Sequence, residues 1–519
     1  MDNSTKKLKI TLVRGPIVFK NGAINNEATP GVAYAYIAGY LRNKGHEITI
    51  VDAIREGLNK TWPLKERNGF SCQGLDFNQI VNRIPKDSDV IGFSAMFSGE
   101  WPVMRELIKK TRKAFPGGLF VAGGEHITAL TEYSLRDCPE IDICVRGEGE
   151  RKFYEVLEAH SKSKDFKNVE GTAYITKEGN YVQNRDNTPR ILDVDSIPWP
   201  YWPDGYLEEF WKENKSYGIS TKRDMPFMIS RGCPYQCTFC SNCEMWTNRY
   251  SLRNITDIIK EIKHYMSRYS ITSIQLYDLT AIVKRSWIIE FCERLIKEGI
   301  GLSWSMPSGT RSEALDGKAL GLLKKTGCSY IVYAPESGSP DTLKNIKKRV
   351  NLDKLTESVM VAKEKGFTAR INLIVGFPCE KWKDVFKTLF YGLKMSVMGV
   401  DEVPVFIFSP YPGTEIFKEL RQKGKIELKD DYFFDLTSLN GSYLSPKIAS
   451  SNENMKGWVL GVLRALFMLL NYGIGYILYP GRIFRTVGNI FSNKGSSTVL
   501  EHRMKDLLRR KKISEDNTR

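Results

Sequence analysis

The chain has 519 residues, of which 42% are hydrophobic and 26% charged, so it can bury sizeable cores and is neither disordered nor fibrous. Its 76 Lys and Arg residues against 60 Asp and Glu give a formal net charge of +16, which suits an anionic small molecule, an acidic membrane surface or nucleic acid and selects none of them. The 10 cysteines are too sparse for a secreted disulfide scaffold, and three of them fall within eight positions, which predicts a metal site in a reducing compartment.

The first 160 residues alternate short β-branched runs with amphipathic stretches. A polar N-terminus leads directly into the strand-like KITLVR, without the apolar stretch of a signal peptide, and this predicts a cytoplasmic protein. Further strand-like runs are EITIVD, DVIGFSA, LFVAGG and IDICVRG, with helical patterns between them. The alternation predicts a doubly wound, Rossmann-like α/β domain over residues 8–160, with its ligand beyond the carboxyl ends of the strands.

The middle of the chain predicts a linker and then a second α/β series. Residues 161–224 contain a predicted hairpin around GTAYITKEGNYV and the run SIPWPYWPDGY, whose prolines prevent a regular helix, so we interpret them as a structured linker. Residues 225–448 contain six strand-like runs separated by helical segments, which predicts a partial (β/α)6 barrel. Functional groups should lie on the loops that follow its strands.

The tail, residues 449–519, is predicted to be helical and basic. Its apolar stretch from Ala465 to Pro480 is interrupted by Asn471 and is shorter than the roughly 20 residues of a spanning helix, so we do not expect it to cross a membrane. Two alternatives stay open. The tail forms a helical hairpin packed on the barrel, or it forms an interfacial helix whose binding is reinforced by Arg482, Arg485 and the run LLRRKK.

The most specific motif is ISRGCPYQCTFCSN, which follows the first predicted barrel strand. It places Cys233, Cys237 and Cys240 in a C-x3-C-x2-C spacing. Zinc sites usually have four protein ligands, whereas a 4Fe-4S cluster held by three cysteines keeps one iron free for another ligand. Three compact thiolates therefore favour the cluster, with Cys243 as a less favoured fourth ligand.

With this triplet and the aromatic Phe239 just before its third cysteine, the sequence resembles the radical S-adenosylmethionine (SAM) superfamily. The resemblance implies that SAM binds the free iron, that one-electron reduction cleaves it, and that the resulting 5′-deoxyadenosyl radical abstracts hydrogen from a substrate. It also implies a SAM site formed by residues of the triplet loop and of later strands, namely Phe239, Asp278, Ser305, Arg311, Glu336, Ser337, Asn372 and Phe408. The chain departs from the family pattern at YAPES, where a Gly usually precedes Glu-Ser.

Placed before such a barrel, the first domain resembles the cobalamin-binding module of cobalamin-dependent radical enzymes. The resemblance implies a cobalamin site formed by Ile54, Ser94, Met96, Gly123, Gly124, Glu125, His126, Glu148 and Gly149. Related modules use a D-x-H-x-x-G loop to supply a histidine to cobalt. Here the segment runs from Asp52 to Gly57 and has Ile54 in the histidine place, so this loop supplies no nitrogen ligand. The lone His126, on another loop, is more consistent with a hydrogen-bonding residue than with a cobalt ligand.

Other interpretations have less support. No G-x-G-x-x-G follows the first strand, where VRGPIVFKNG stands, and Walker A is absent, so a generic nucleotide-binding Rossmann domain is not favoured. A methylthiotransferase should offer cluster cysteines in its N-terminal domain, whereas Cys72, Cys138 and Cys144 are scattered. A non-enzymatic cobalamin-binding or RNA-binding protein would use the positive charge but has no need for the triplet, and we expect no nucleic-acid partner.

The resemblance thus implies an enzyme with three cofactors: a 4Fe-4S cluster, SAM and cobalamin. The expected reaction is methylation of an unactivated carbon of a small-molecule or lipid-like substrate. The alternative is an oxidative cyclisation or rearrangement, as in the anaerobic magnesium-protoporphyrin monomethyl ester cyclase. Expected partners are an electron donor such as flavodoxin or ferredoxin and a membrane touched peripherally by the tail of an otherwise cytoplasmic protein.

Overall fold

The computed structural model describes residues 7–22, 28–162, 165–187, 190–191, 193–215, 222–438, 450–491, 496–502, 504–505 and 508. Up to residue 215 its helices and strands are β1 (Lys9–Arg14), β2 (Ile17–Lys20), α1 (Val32–Asn43), β3 (Glu47–Asp52), β4 (Thr61–Pro63), β5 (Phe70–Gln73), α2 (Phe77–Val81), β6 (Val90–Ser94), α3 (Trp101–Ala114), β7 (Leu119–Gly123), α4 (Glu125–Ala129), α5 (Thr131–Asp137), β8 (Ile143–Val145), α6 (Gly149–Ser161), β9 (Thr172–Ile175), β10 (Tyr181–Gln183) and α7 (Tyr206–Lys212).

The second part of the chain contains β11 (Asp224–Phe227), β12 (Ser230–Gly232), α8 (Asn242–Trp246), β13 (Tyr250–Leu252), α9 (Ile255–Tyr269), β14 (Ser273–Leu276), α10 (Arg285–Lys297), β15 (Ser303–Thr310), α11 (Gly317–Lys325), β16 (Cys328–Glu336), α12 (Pro340–Asn345), α13 (Leu352–Glu364), β17 (Thr368–Val375), α14 (Trp382–Val397), β18 (Val405–Ile407), α15 (Glu415–Gln422), α16 (Asp430–Ser438), α17 (Gly457–Leu478) and α18 (Gly481–Phe491).

The first sheet has the order β10-β9-β8-β7-β6-β1-β3, in which the five strands from β3 to β8 are parallel. Residues Ile10–Val13 of β1 are fully buried, as expected of a parallel strand covered by helices on both faces. The predicted doubly wound domain is confirmed. The order in which strands are added to the sheet reverses between β1 and β6, and such switch points are where these sheets bind ligands.

The predicted linker is more closely tied to the first domain than its sequence indicated. The hairpin β9–β10 forms as predicted, but it pairs antiparallel with β8 and so extends the first sheet. Arg42 of α1 stacks its guanidinium on the ring of Tyr201, 3.9 Å from the ring centroid. A side chain on Gly39 could not fit, because its Cβ would lie 2.5 Å from the carbonyl oxygen of Trp199. The Pro-Trp-rich segment therefore packs directly on α1.

The second sheet has the order β11-β14-β15-β16-β17-β18, and every neighbouring pair is parallel. This confirms the six-stranded partial barrel, which is open between its edge strands β11 and β18. The first barrel strand is not followed directly by the cysteine loop, because β12 lies between them and pairs with β13. The β12–β13 hairpin thus carries the cysteine loop.

Helix α16 comes after the last barrel strand in the sequence but packs against the first domain. Its Phe433 and Leu436 belong to the same hydrophobic core as Trp101 of α3. At its first residue, Asp430 accepts two hydrogen bonds from the guanidinium of Arg105, at 3.0 and 2.8 Å. The two domains are therefore joined by an apolar core and an ion pair as well as by the linker.

The tail packs on the barrel, but as a longer helix than the sequence indicated. Helix α17 begins at Gly457 rather than near Ala465, and its 22 residues are long and apolar enough, by length and composition alone, to cross a membrane. Its inner face buries Arg464 and Asn471, and Asn471 accepts a hydrogen bond from Ser396 of α14. Helix α17 therefore lies along the outside of the barrel.

The two tail arginines, named in the interfacial alternative, contact the loop after α14. Arg482 donates to the carbonyl oxygens of Gly399, at 2.6 Å, and Val400, at 3.1 Å, while Arg485 forms an ion pair of 3.2 Å with Asp401. Both guanidinium groups are thus bound to the barrel, because that loop offers carbonyl and carboxylate acceptors. The run LLRRKK lies outside the described residues except for Leu508.

Candidate active site

The cysteine triplet lies on the loop between β12 and α8. Gly232 begins this loop with a φ of 79°, and a Cβ there would lie 2.1 Å from the carbonyl oxygen of Arg249, so only glycine fits. Cys233, Cys237 and Cys240 are all free thiols. Within the described residues, no three His, Cys, Asp or Glu side chains are arranged to hold a single metal ion. The loop therefore offers three thiols within eight positions, and thiolates are the usual protein ligands of iron–sulfur clusters.

Asp278, a predicted SAM residue, fixes the start of this loop. Its carboxylate accepts hydrogen bonds from the backbone N–H of Ile229, at 3.1 Å, and of Ser230, at 2.5 Å. Its side chain is fully buried, and burial raises its pKa to about 6. Asp278 thus joins the end of β14 to β12, which places it as a positioning residue of the cysteine loop.

Arg311 lies beside the cysteine loop, and buried polar atoms of this residue and its two neighbours have no hydrogen-bond partner among the described residues. Its guanidinium stacks on the ring of Tyr235, 3.8 Å from the ring centroid. Three buried atoms here, Thr310 Oγ1, Arg311 Nε and Ser312 Oγ, have no hydrogen-bond partner among the described residues. Because unpaired buried polar atoms are costly, this cluster suits a polar ligand such as the amino acid part of SAM.

Glu336 ends β16 after a register shift, Ser337 follows it, and the sequence departs from the family pattern at this point. Glu336 has a φ of 69°, which a residue with a side chain rarely adopts, and its carboxylate pairs with Lys348 at 3.0 Å. The charges of Lys348, Glu336 and Arg311 all act on the thiol of Cys237, whose pKa is raised mainly by burial. The structure thus brings these predicted residues together, whereas Ser337 is fully buried and bonded to Thr388.

The remaining predicted SAM residues lie inside the barrel or beside the loop. Phe239 and Phe408 both pack on Phe377, with ring centroids 5.6 and 4.9 Å apart. Inside the barrel, Ser305 is hydrogen-bonded to Gln275, and Asn372 accepts a hydrogen bond from Arg370. The contact of these four residues with SAM stays a prediction.

A cavity of about 270 Å³ lies between the two domains, at the switch point of the first sheet. Six of the predicted cobalamin residues line it, namely Ser94, Met96, Gly123, Gly124, Glu148 and Gly149. Gly124 has a φ of 104°, and a Cβ there would lie 2.6 Å from the carbonyl oxygen of Ala95. The strand ends therefore form a glycine-rich wall that a bulky ligand can approach closely.

The other three predicted cobalamin residues are placed elsewhere. Ile54 is buried in the hydrophobic core that contains Trp202 and Tyr206. His126 is fully buried, stacks on Trp101 and has its Nδ1 3.0 Å from Ser98 Oγ, and burial lowers its pKa to about 3. Neither residue is part of the cavity wall, and His126 is a neutral core histidine, as its isolation in the sequence suggested.

Two of the predicted cobalamin residues, Glu125 and Glu148, contact residues that flank the cysteine triplet. Glu125 accepts a hydrogen bond from Ser241, the residue after Cys240, and burial raises its pKa. Glu148 pairs with Arg231 of β12 at 3.1 Å. The loops predicted for two different cofactors are thus joined by direct side-chain contacts.

Sequence reasoning missed the barrel side of the cavity. Its wall there is formed by Met228, Arg231, Met245, Trp246, Tyr277 and Leu279. Arg231 also donates to Glu150 at 2.6 Å, and its guanidinium lies over the ring of Tyr36, 4.9 Å from the ring centroid. An arginine two residues before Cys233 could have indicated a carboxylate partner nearby, since an arginine that is buried needs one. The position of that partner could not be inferred from the sequence.

Fold and site together define an enzyme in which a cobalamin-type Rossmann domain faces a radical SAM barrel. Family comparisons match a B12 binding domain over residues 26–157 and the Radical SAM superfamily over residues 227–391. An uncharacterized methyltransferase of Pyrococcus horikoshii is 30% identical over 414 residues, covering 80% of this chain and 83% of that protein. The chain therefore belongs to the cobalamin-binding radical SAM enzymes.

Two further comparisons describe its place among these enzymes. The anaerobic magnesium-protoporphyrin IX monomethyl ester cyclase of Rubrivivax gelatinosus is 27% identical over 411 residues, covering 78% of this chain and 69% of that enzyme. The structure of the cobalamin-dependent SAM radical enzyme OxsB, with aqua-cobalamin and SAM bound, aligns with a TM-score of 0.69 at 15% identity. It covers 94% of this chain and 69% of OxsB, and shows the same fold.

The three cofactors of these enzymes fit the residues present. The free thiols of the triplet suit iron, and a bound iron lowers the pKa of a buried thiol such as Cys237. The unpaired polar atoms around Arg311 suit SAM, and the glycine wall suits cobalamin. The predicted fold class, enzyme class and set of cofactors are thus confirmed.

Proposed function

We propose that this protein methylates an unactivated carbon of a small-molecule or lipid-like substrate. The observation that supports this most directly is the shared cavity, whose wall has Gly124 and Glu148 on one side and Met228 and Trp246 on the other. When bound, the cluster and SAM supply a hydrogen-abstracting radical and cobalamin supplies a methyl group. Both must reach one substrate carbon, so a single cavity between their domains is the arrangement that methyl transfer needs.

The side chains of the chain hold, orient and shield these groups. Asp278 fixes the loop that bears the cluster, and the ion pair of Arg231 with Glu148 holds that loop against the cobalamin side. The aromatic and thioether groups of Trp246, Met228 and Met245 make the barrel side of the cavity mostly apolar. Such a wall excludes water and keeps the reacting groups in contact with the substrate alone.

The test needs no knowledge of the substrate. Reduced holoprotein is incubated anaerobically with SAM that is deuterated at its methyl group, and cobalamin is then extracted for mass spectrometry. We expect a labelled methyl group on cobalamin together with S-adenosylhomocysteine. A variant with Ala at Cys233, Cys237 and Cys240 should form no 5′-deoxyadenosine, because it lacks the thiolates that hold the cluster. Unlabelled cobalamin from active holoprotein would argue against methyl transfer.

The alternative reaction is an oxidative cyclisation or rearrangement, and the 27% identity to the anaerobic cyclase supports it. Both reactions begin with hydrogen abstraction and release deoxyadenosine. Only methyl transfer also consumes SAM as a methyl donor. With a candidate substrate, deoxyadenosine without adenosylhomocysteine or a labelled product would indicate the cyclase type of reaction.

We infer two partners in addition to the substrate. Cleavage of SAM consumes one electron, so a donor such as flavodoxin or ferredoxin must reduce the cluster. Reduced flavodoxin should therefore support formation of 5′-deoxyadenosine when no chemical reductant is added. We also infer that the protein is cytoplasmic and contacts a membrane peripherally through its tail, because α17 and α18 expose many apolar side chains, including Leu469 and Phe484.

A further inference from the structure

Helix α14 of the barrel has an outer surface unlike that of its neighbours. Trp382, Phe386 and Phe390 are exposed at intervals of four residues, with stacked or tilted rings 6.0 and 6.4 Å apart, and Val397 continues the row. Helices α9, α11 and α13, all described in full, expose no large apolar side chain. The aromatic row is thus particular to α14 and is not a general feature of the barrel.

The tail helix α17 runs beside α14 in the same direction. Ser396 donates to Asn471, and the hydroxyl of Tyr479 donates to the carbonyl oxygen of Val397 at 2.8 Å. These contacts fix the inner side of α17 and leave an apolar row outside. That row consists of Trp458, Val462, Leu466, Leu469, Leu470, Ile477 and Leu478.

Helix α18 extends the same surface. Because Arg482 and Arg485 are bound to the loop after α14, the side of α18 with Phe484, Val487 and Phe491 points away from the barrel. Together α14, α17, Tyr479 and α18 hold 16 of the 23 exposed large apolar side chains in the described part of the chain. We call this surface the three-helix face.

The charges on the three-helix face are cationic. Exposed Lys383 and Lys387 lie between the aromatic positions of α14 and share an ion pair with Asp341 of α12, at 3.5 and 3.8 Å. Exposed Lys394 follows the aromatic row, and exposed Lys456 precedes α17. The only acidic residue in these helices, Asp384, is buried. Apolar rows with interspersed lysines match the acyl boundary and the anionic headgroups of a lipid bilayer.

We propose that the three-helix face lies in the surface layer of a bilayer that contains anionic lipids, so that α14 of the barrel is part of the membrane contact. This inference rests on the peripheral contact proposed above and locates it. Helix α17, about 33 Å long, then lies in the plane of the membrane, since Asn471 and Tyr479 bind it to α14 and Arg464 is buried. It also borders the edge strand β18, at the open side of the barrel.

The experiment uses full-length holoprotein and flotation with vesicles of phosphatidylcholine, with or without about 25% phosphatidylglycerol. We expect flotation with the anionic vesicles, weakened as NaCl rises from about 0.1 to 0.5 M. Phe390→Glu on α14 and Phe484→Glu on α18, which are 66% and 79% exposed, should each weaken binding about ten-fold or more. Ile296→Glu, at an exposed apolar position on α10, is the matched control and should float as wild type does.

Two results would overturn this assignment. One is flotation of Phe390→Glu equal to that of wild type. The other is absence of flotation together with a concentration-dependent dimer that Phe390→Glu disperses, because a second copy would then cover the face. All variants should retain cobalamin and form labelled methyl-cobalamin as wild type does, so failure of methyl transfer is detected separately from failure of membrane binding.

Discussion

The buried ion pairs of Arg231 predict a specific coupling between the two cofactor loops. Its guanidinium is 3.1 Å from Glu148 and 2.6 Å from Glu150, and all three side chains are at most 7% exposed. Replacing Arg231 with Met keeps much of the volume but leaves two buried carboxylates without this partner. Breaking such a pair costs about 3–5 kcal/mol, a large part of the 5–15 kcal/mol by which proteins are typically stable.

The double variant provides the sharper test. Glu150→Gln alone removes one of the two charges that Arg231 compensates, whereas Glu148 keeps a hydrogen bond of 2.6 Å from the backbone N–H of Ile191. We therefore expect Arg231→Met combined with Glu150→Gln to be less destabilised than the sum of the single variants, by about 1–3 kcal/mol.

The assay is urea unfolding followed by tryptophan fluorescence, with retained cobalamin measured after gel filtration. Arg136→Met is the matched control, because its pair with Glu132 is about half exposed and should contribute less than about 1 kcal/mol. We expect Arg231→Met to lose cobalamin while Arg136→Met retains it. Additive effects within about 0.5 kcal/mol, or equal cobalamin content, would refute the proposed coupling.

Three other predictions concern the cobalamin domain. The pKa of His126 is about 3 in the folded protein against an ordinary value of 6.5. As pH falls from 6.5 towards 3, the unfolded chain therefore binds a proton at this residue before the folded protein does, and the free energy of unfolding should decrease. The urea midpoint of His126→Gln should depend less on pH than that of wild type, and an equal pH dependence would contradict this. Gly124→Ala should abolish cobalamin binding, because its Cβ would meet the carbonyl of Ala95, whereas Gly117→Ala, in open space, should bind normally in the same absorption assay. With Ile54 in the core, paramagnetic resonance of the cobalt(II) form should show no histidine nitrogen splitting, and such splitting would contradict the placement.

The sequence was most informative where a local pattern determines a local structure. Buried β-branched runs such as Ile10–Val13 identified the parallel strands, and the triplet around Cys237 identified its loop by spacing alone. The glycine pair at the end of β7 was expected at the ligand edge of the sheet, and Gly124, with its positive φ, lines the cavity there; its contact with cobalamin stays a prediction. These features need no knowledge of distant parts of the chain.

Features that depend on long-range contacts could not be predicted. Arg231 meets Glu148 across 83 residues and Arg105 meets Asp430 across 325, and no periodicity marks either pair. Helix α17 begins eight residues before the apolar stretch that starts at Ala465, because Arg464 interrupts the apolar pattern although it is buried in the structure. The inward position of Ile54 likewise depends on a core completed by the linker and the barrel.

The return of α16 to the first domain affects the order in which the chain can fold during synthesis. Domains generally fold as units as they leave the ribosome, N-terminal first. Here the core around Trp101 lacks Phe433 and Leu436 until α16 has emerged, so the nascent first domain exposes an apolar surface while the whole barrel is being translated. The first domain therefore completes its core only after the barrel has been made, and the cavity gains its second wall at the same stage.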